Sequence, residues 1–481
     1  MIRTRFAPSP TGFMHIGNLR TALYAYLFAK KHKGKFILRI EDTDRERYVE
    51  GAVDAIYATL RKAGIFHDEG PDVGGGYGPY IQSQRKDIYM EYALKLIERG
   101  GAYYCFCDKE RLGSLADEKG VKRYDKHCLK LSKKEVQDKL DAGEEFVIRQ
   151  NMPTEGLSSY EDMVFGKITV PNDELEDNIL IKVDGMPTYN FANVVDDHLM
   201  GITHVIRGTE YLSSTPKYNL IYEAMGWQTP NYMHLPPIMK DQKRKLSKRY
   251  GDANFEDFLN KGYLPHAIVN YIALLGWSPK DNQEKLSMQE LIDAFDIDGI
   301  SKSPSIFDEQ KMKWLNAQYI RELTLEEFHD IALSYYQKMD LVDKFDTLKL
   351  SQLLHGRCEV FSDIYNSVDF LTEFGDFDLG LYYHKRMKTD FKAAKPLIEE
   401  ALKALKEIEF TTDSIMDALT RISEKMGVKK GQTMYSVRVA LTGRASTPGG
   451  AIEMAELLGK DESLRRLKKS LEMIKKAEHK L

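Results

Sequence analysis

Two stretches far apart in the sequence carry residue types suited to holding phosphate groups. In the first, His15 and Gly17 stand at the start of a helical pattern, where the unpaired amides of a helix N-terminus favour an anion. In the second, Lys245 and Lys248 lie in a run of six basic residues and one acid between positions 240 and 249. Each stretch alone is more often a plain strand–helix turn or a solvated charged surface. If the fold brings them together, they suit stabilisation of charge on phosphate oxygens.

A third group of residues suits metal binding. Cys105, Cys107 and Cys128 are three of only four cysteines in 481 residues, which argues against a disulfide scaffold and favours a metal over redox chemistry. Zinc takes four tetrahedral ligands from thiolate, imidazole or oxygen. Three thiolates are present, and either Tyr124 or His127 could supply the fourth ligand. The alternative is three reduced cysteines without a metal.

The elements that must position these residues are those of a parallel sheet. Alternation over Ile2–Phe6 predicts a strand, which two prolines end because proline has no amide proton for a sheet ladder. A helical pattern follows at 19–27, and a second strand over Phe36–Ile40 delivers Glu41 to its carboxyl edge. A second helical pattern at 49–60 completes the order. Strand–helix–strand–helix implies parallel pairing with right-handed crossovers, and such sheets bind ligands beyond their carboxyl ends.

Later segments extend this α/β pattern and then abandon it. After a Gly/Pro-rich connection at 65–81, the pattern predicts one helix and three strands: Gln84–Arg99, Phe146–Gln150, Ile179–Val183 and Thr203–Ile206. The last strand places Arg207 at the ligand edge. From about residue 325 onward only helices are predicted, among them Leu325–Gln337, Ala394–Ile408 and Ile452–Leu458.

Length and composition indicate a large globular enzyme. The 481 residues suffice for three or four domains, and 42% apolar and 30% charged residues are ordinary for a soluble protein. A net charge of −4 means that any contact with nucleic acid must come from local patches. The first residues contain no apolar signal core, and no apolar run is long enough to span a bilayer. We therefore expect a cytoplasmic protein without a membrane partner.

Three segments together resemble one family of class I aminoacyl-tRNA synthetases. Arg5–Leu23, read as Arg-Phe-Ala-Pro-Ser-Pro-Thr-Gly-Phe-Met-His-Ile-Gly-Asn-Leu-Arg-Thr-Ala-Leu, resembles the first signature motif in its glutamyl-tRNA synthetase form. Lys245-Leu-Ser-Lys-Arg249 resembles the second motif. Asp184–Gly208 is similar to the family segment that lines the amino-acid pocket. The resemblance implies ATP-dependent activation of L-glutamate to the adenylate, with release of pyrophosphate, and transfer to the 3′-terminal adenosine of tRNA(Glu).

Some positions depart from the general class I pattern. Asn18 stands at the fourth position of the first motif, where the family has histidine. In the second motif, Leu246 replaces methionine and Arg249 replaces serine, and both changes are similar to the glutamyl variant. Many relatives carry an acid at the position of Thr209, so the role of Glu210 stays open.

The resemblance also implies a site. The residues that it places on ATP are His15, Gly17, Asn18, Lys245, Ser247 and Lys248, of which His15, Lys245 and Lys248 are catalytic. The residues that it places on glutamate are Arg5, Ala7, Ser9, Glu41, Tyr189, Asn193 and Arg207. Arg5 and Arg207 would bind the side-chain carboxylate, and Glu41 would bind the ammonium group. Magnesium is expected on the phosphates, held largely by ATP and water.

For the metal site, the resemblance implies one structural Zn²⁺ held by Cys105, Cys107, Tyr124 and Cys128. Some family members use a tyrosine four residues before the last cysteine, which matches Tyr124. Others use a histidine two residues after that cysteine, and this chain has Lys130 there.

The implied fold is a Rossmann-like parallel-sheet catalytic domain, an inserted α/β acceptor-stem domain and an all-helical C-terminal anticodon-binding domain. The expected boundaries are 1–82 and 191–238 for the two catalytic halves, 83–190 for the insertion, 239–324 for the lysine loop and stem-contact region, and 325–481 for the helical domain. A glutaminyl enzyme would carry a β-barrel C-terminal half instead. The expected partners are ATP, L-glutamate and tRNA(Glu), and we expect a monomer.

Three alternatives remain at this point. The chain could also charge tRNA(Gln) with glutamate, and Arg357 lies in the region where anticodons would be discriminated. A tRNA-modifying glutamyl transferase is disfavoured because such proteins lack the anticodon domain. A non-catalytic nucleotide-binding paralogue is disfavoured because His15, Lys245 and Arg207 are all retained.

Overall fold

The computed structural model describes residues 1–44, 49–115, 123–247 and 253–479. These residues form two compact units: Met1–Asn260 with Pro265–Met312, and Lys261–Leu264 with Lys313–Leu481. Within the described ranges, no helix combines the length and the apolar character needed to cross a membrane.

The first unit contains all the described strands. In chain order they are β1 Arg3–Phe6, β2 Lys35–Leu38, β3 Ala102–Cys105, β4 Val147–Gln150, β5 Leu157–Asp162, β6 Gly166–Pro171, β7 Ile179–Ile181, β8 His204–Gly208, β9 Asn231–Leu235, β10 Ile238–Met239 and β11 Ser305–Ile306. Its helices are α1 Ile16–Lys31, α2 Ala52–Lys62, α3 Lys86–Glu98, α4 Lys109–Ser114, α5 Lys133–Asp141, α6 Tyr189–Leu199, α7 Thr215–Met225, α8 Phe255–Asn260, α9 Pro265–Leu274 and α10 Met288–Ala294.

The parallel pairing predicted for the first two strands is present. β1 pairs in parallel with β2, from Arg3 opposite Lys35 to Phe6 opposite Leu38. α1 connects them and is apolar on almost all sides, as expected for a helix enclosed by the core. β2 ends two residues earlier than predicted, because Ile40 makes only an isolated bridge to Ile81 instead of continuing the ladder.

A second group of strands, β5, β6, β8 and β9, lies next to the first pair. β8 and β9 pair in parallel, β9 also pairs in parallel with β5, and β5 forms an antiparallel hairpin with β6. The Thr203 amide donates a 2.9 Å hydrogen bond to the Arg3 carbonyl, so β8 begins beside β1. The hairpin was not predicted, and the predicted boundaries assign it to the insertion. Its contact with β9 is what matters for the site described below.

The remaining strands of the predicted insertion form a separate antiparallel sheet in the order β3-β4-β7. Its core brings Ile148 and Leu180 against Tyr89 of α3 and Phe191 of α6. α3 starts at Lys86, two residues later than predicted, because Gln82–Arg85 forms a 3₁₀ turn.

The second unit is helical, as predicted. α11 Glu309–Glu322 begins in the first unit and ends in this one, and the helices after it are α12 Leu325–Lys338, α13 Thr347–Leu354, α14 Asp363–Ser367, α15 Phe391–Glu407, α16 Thr412–Lys425, α17 Lys430–Thr442 and α18 Ala451–Glu478. The apolar stripe of α15 is buried at Ala394, Leu397, Ile398 and Ala401. α18 extends far beyond the predicted Leu458, although the backbone at Gly459 leaves helical geometry with φ +74°.

Gly34 provides a test of the packing between α1 and the first strand pair. A Cβ at Gly34 would collide with the backbone oxygen of Ile2, which is already held by the Lys35 amide at 2.9 Å. We expect Gly34→Ala to lower the free energy of unfolding by about 1–3 kcal/mol, the usual cost of overpacking. Gly76→Ala is the matched control, because a Cβ there meets open space. Urea unfolding of the full chain measures both, and equal midpoints would contradict this account of the packing.

Candidate active site

The structure places most of the predicted ATP and glutamate residues around one cavity of about 390 Å³ in the first unit. The predicted residues that line it are Arg5, Ala7, Ser9, His15, Gly17, Asn18, Glu41, Tyr189, Arg207 and Lys245. They come from the carboxyl ends of β1, β2 and β8, the first turns of α1 and α6, and the segment after β10. The cavity therefore lies at the edge where a parallel sheet binds its ligands.

Two of the predicted residues stand apart from this lining, and a third lies outside the described residues. Asn193 is buried behind the wall, where its Nδ2 donates to the Tyr189 carbonyl. Ser247 follows the lining residue Leu246 but does not itself line the cavity. Lys248 lies outside the described residues, as does Arg249 of the same motif.

His15 joins the two distant motifs by direct contact. It is the N-cap of α1, and its Nδ1 accepts a 3.0 Å hydrogen bond from the Gly17 amide. Nε2 therefore carries the proton and donates to the Leu246 carbonyl at 3.1 Å. The Ile16 amide also donates to the Ala253 carbonyl at 2.8 Å, so Leu246 of the second motif and Ala253 after it both lie against the start of α1.

Lys245 is held at the cavity by a tight turn. The Lys240 amide donates to the Arg244 carbonyl at 2.8 Å, and the Leu246 amide donates to Ile238 of β10 at 3.1 Å. This backbone pairing fixes the base of the Lys245 side chain beside the helix start, while the side chain remains exposed. An exposed ammonium on an anchored base suits contact with an incoming phosphate.

A network of buried charges underlies the part of the cavity that is lined by the predicted glutamate-binding residues. Arg39 donates to Glu41 Oε1 at 2.9 Å and to Asp197 Oδ1 at 2.7 Å. Arg5 reaches the same Asp197 oxygen at 3.1 Å, and Arg85 reaches Asp196 at 2.7 Å. Because a buried charge is costly unless it is paired, these contacts explain how the ends of β1, β2 and α6 tolerate so many ionised groups.

This network changes what the predicted residues are available to do. Arg5 was expected to bind the substrate carboxylate, yet its Nε already pairs with Asp197. Burial raises the pKa of Glu41, whereas Arg39 opposes that rise by bonding to Oε1. Burial also acts to raise the pKa of Asp197, but Arg5 and Arg39 together hold it below its usual value.

Arg207 differs from Arg5, Arg39 and Arg85. It is 5% exposed, and among the described residues no carboxylate forms an ion pair with it. Its guanidinium instead lies 4.9–5.4 Å from the ring centres of Tyr218, Tyr211 and Tyr232 and bonds to neutral acceptors. A buried cation of this kind at the wall of a cavity is suited to an anionic ligand.

Sequence reasoning missed Arg39, Arg85, Asp196 and Asp197, which hold the cavity residues in place. Arg39 interrupts the otherwise apolar stretch Phe36–Ile40, and the two aspartates directly follow Val194 and Val195 on a helix. A charge within an apolar run signals a buried pair. That signal was available, although the partners themselves come from remote elements.

The predicted metal ligands also converge. The sulfur atoms of Cys105, Cys107 and Cys128 lie within 4.8 Å of one another. Tyr124 Oη lies 3.3 Å from Cys105 Sγ and 3.5 Å from Cys107 Sγ, whereas His127 is exposed. The hydrogen bond from Cys128 is the main cause that lowers the pKa of Cys105, to about 4, so the cluster already favours one thiolate.

Comparison with known proteins bears on the whole chain. The family model for the catalytic domain of class I tRNA synthetases (E and Q) matches residues 1–314, and an anticodon-binding domain model matches residues 309–471. The glutamate–tRNA ligase of Clostridium novyi (strain NT) is 57% identical over 480 residues, covering 99% of both chains. The glutamate–tRNA ligase of Clostridium acetobutylicum is 56% identical over 480 residues, again covering 99% of each.

Solved structures agree with these relatives. The crystal structure of a glutamate tRNA ligase from Elizabethkingia meningosepticum in complex with its amino acid has a TM-score of 0.86 at 36% identity. The glutamate-tRNA synthetase of Elizabethkingia anophelis has a TM-score of 0.87 at 36% identity. Each match covers 98% of this chain and 99% of the other. The family and the fold predicted from the motifs are thus confirmed, and the chain belongs to the glutamate–tRNA ligase family of class I aminoacyl-tRNA synthetases.

Proposed function

We propose that the chain activates L-glutamate with ATP and transfers it to tRNA(Glu), with Arg207 selecting the amino acid and His15 and Lys245 acting on the phosphates. The aminoacylation function follows from family membership. The observation that carries the residue roles is one cavity with the two motif residues on one wall and, on another, an arginine that forms no ion pair with any described carboxylate.

The reaction requires positioning more than a protein nucleophile. A carboxylate oxygen of glutamate forms a bond to the α-phosphorus of ATP, and the bond to pyrophosphate breaks. The terminal ribose hydroxyl of tRNA then attacks the acyl carbon and releases AMP. Both steps place extra negative charge on oxygens, so fixed donors lower the barrier. The Lys245 ammonium supplies such a donor on this chain, and His15 Nε2–H becomes a second one when a phosphate oxygen replaces the Leu246 carbonyl as its acceptor. Lys248 has the same role on the sequence alone.

Selection of glutamate follows from the charge of its side chain. A glutamate side-chain carboxylate can take the free hydrogens of the Arg207 guanidinium. The neutral amide of glutamine would leave that guanidinium buried without an anion, and such a site rejects the wrong ligand strongly. Tyr189 and Ser9 complete the pocket, while Glu41 remains the candidate for the substrate ammonium.

Magnesium and zinc would be bound in different ways. Among the described residues, the cysteine cluster is the one group of three or more side chains close enough together to hold a metal ion. No cluster of carboxylates is present there, so Mg²⁺ would be held by ATP oxygens and water. The cysteine cluster fits zinc, with three sulfurs and the Tyr124 oxygen as the four ligands. Zinc there would supply structure, joining β3 to the segment around Cys128.

Replacing Arg207 tests the glutamate pocket. Arg207→Lys keeps the charge but loses the planar fork, so we expect the KM for glutamate to rise about 10- to 100-fold. That range corresponds to one lost charge-assisted hydrogen bond of roughly 1.5–3 kcal/mol. ATP–pyrophosphate exchange with tRNA present measures it, and the KM for ATP should change less than about 3-fold. Arg99→Lys, outside the cavity, is the control. An unchanged KM for glutamate would reject the assignment.

Replacing Lys245 tests the phosphate side. We expect Lys245→Ala to lower the maximal exchange rate about 100-fold, as removal of one preorganised donor does elsewhere, with the KM for glutamate nearly constant. Lys243→Ala is the matched control, since Lys243 lies in the same basic run but does not line the cavity. If both variants lost the same activity, general surface charge and not a placed donor would explain the effect.

Zinc analysis separates the two candidates for the fourth ligand. We expect the purified chain to hold about one zinc, as a single four-ligand site would. After dialysis against a weak chelator, Tyr124→Phe should have lost most of it, whereas His127→Ala should retain it. Elemental analysis gives the stoichiometry directly. Retention by Tyr124→Phe together with loss from His127→Ala would reverse the assignment, and a metal-free wild type would remove zinc from the proposal.

A further inference from the structure

We propose that Asp162 and His234 are positioning residues that orient the Arg207 guanidinium toward the side-chain carboxylate of glutamate. This inference rests on the proposed role of Arg207 in glutamate selection. Neither residue lines the cavity, and neither was singled out by any motif. They would set amino-acid specificity through Arg207 rather than by touching the substrate.

The sheet places the three residues in a row. Arg207 of β8 and His234 of β9 are direct partners in the parallel register. Asp162 ends β5, the strand on the other side of β9. All three are nearly inaccessible to solvent, with relative exposures of 5% for Arg207, 0% for His234 and 3% for Asp162. A row of adjacent buried side chains across three strands transmits orientation rigidly, because packed side chains have few alternative rotamers.

A chain of hydrogen bonds runs from Asp162 through His234 to Arg207. Asp162 Oδ2 accepts from His234 Nδ1 at 2.6 Å and from the His234 amide at 3.2 Å. With its proton on Nδ1, His234 has an acceptor lone pair on Nε2, which takes the Arg207 Nε–H at 3.1 Å. The opposite tautomer would set two N–H groups against each other. Asp162 therefore selects the tautomer that can hold Arg207.

The two hydrogen-bond acceptors, His234 and Thr215, occupy only one edge of the Arg207 guanidinium. His234 takes Nε–H, and Thr215 Oγ1 takes Nη2–H at 2.7 Å, which together form the side edge of the arginine fork. Among the described residues, Nη1 has no hydrogen-bond partner, and Arg207 lines the cavity. The end edge is thus the part presented to a ligand, and its two parallel hydrogens match a carboxylate.

Asp162 itself is held by the hairpin. Its Oδ1 accepts from the amides of Val164 and Phe165, each at 2.9 Å, at the turn between β5 and β6. All the hydrogen-bond donors around the Asp162 carboxylate are N–H groups. The side-chain NH₂ of an asparagine at this position would therefore face at least one of these N–H groups. Burial is the main reason that the pKa of His234 is low, which keeps the ring neutral beside Arg207.

Asp162→Asn and His234→Leu test the inference. Each preserves approximate volume but removes the selected tautomer or the acceptor itself. In ATP–pyrophosphate exchange with tRNA(Glu) present, we expect the KM for glutamate to rise at least 10-fold and the preference for glutamate over glutamine to fall at least 10-fold. The KM for ATP should stay within 3-fold of wild type. His234→Gln, which restores an acceptor oxygen, should recover most of the glutamate affinity.

His204→Leu is the matched control, because His204 is buried in the same β8 outside the cavity and bonds to Thr203 and Asn231. Equal losses for glutamate and ATP, or equal effects of His204→Leu and His234→Leu, would show a structural role only and overturn the inference. Wild-type KM values in both Asp162→Asn and His234→Leu would also overturn the inference. Absence of glutamate-dependent exchange in the wild type would instead reject the proposed function, so the two failures are distinguishable.

Discussion

The burial of arginines against two aspartates of α6 is the constraint on which the catalytic unit depends. Arg5, Arg39 and Arg85 are each at most 4% exposed, and every one of them reaches Asp196 or Asp197 of α6. Removing one partner of such a network leaves an uncompensated buried charge, which costs several kcal/mol. The network therefore locks α6 to β1 and β2, and the cavity takes its shape from that lock.

Some of this organisation could be predicted from sequence, and some could not. His15 and Lys245 were found because helix starts and basic loops have local signatures, and their meeting was predicted by resemblance and is seen in the contact between His15 and Leu246. His234 and Asp162 carry no local signature. Their positions depend on the parallel pairing of β9 with both β8 and β5, which is a property of register and not of any short segment.

Element ends show the same limit. The predicted strand end at Ile40 was wrong by two residues, since Ile40 makes only an isolated bridge to Ile81 and the ladder with β1 ends at Leu38. The β5–β6 hairpin escaped prediction because both strands are half-exposed and mix polar with apolar residues, so neither period stands out. The hydrophobic pattern of a segment shows which of its faces is buried. Strand pairing depends instead on other strands, which are remote in the sequence.

The pairing of the buried charges beneath the cavity links the fold to the substrate. Arg5, Arg39 and Arg85 pair with the three buried acids Glu41, Asp196 and Asp197, whereas Arg207 forms no ion pair with a carboxylate of the described residues. Glutamate at neutral pH carries one net negative charge, whereas glutamine carries none. A guanidinium without an ion pair at the cavity wall therefore favours the charged side chain of glutamate over the neutral side chain of glutamine. Arg20 lines the same cavity without an ion pair among the described residues, but its two Nη groups donate to the carbonyls of Leu275 and Pro236, whereas Nη1 of Arg207 has no hydrogen-bond partner there and remains available to the ligand's side chain.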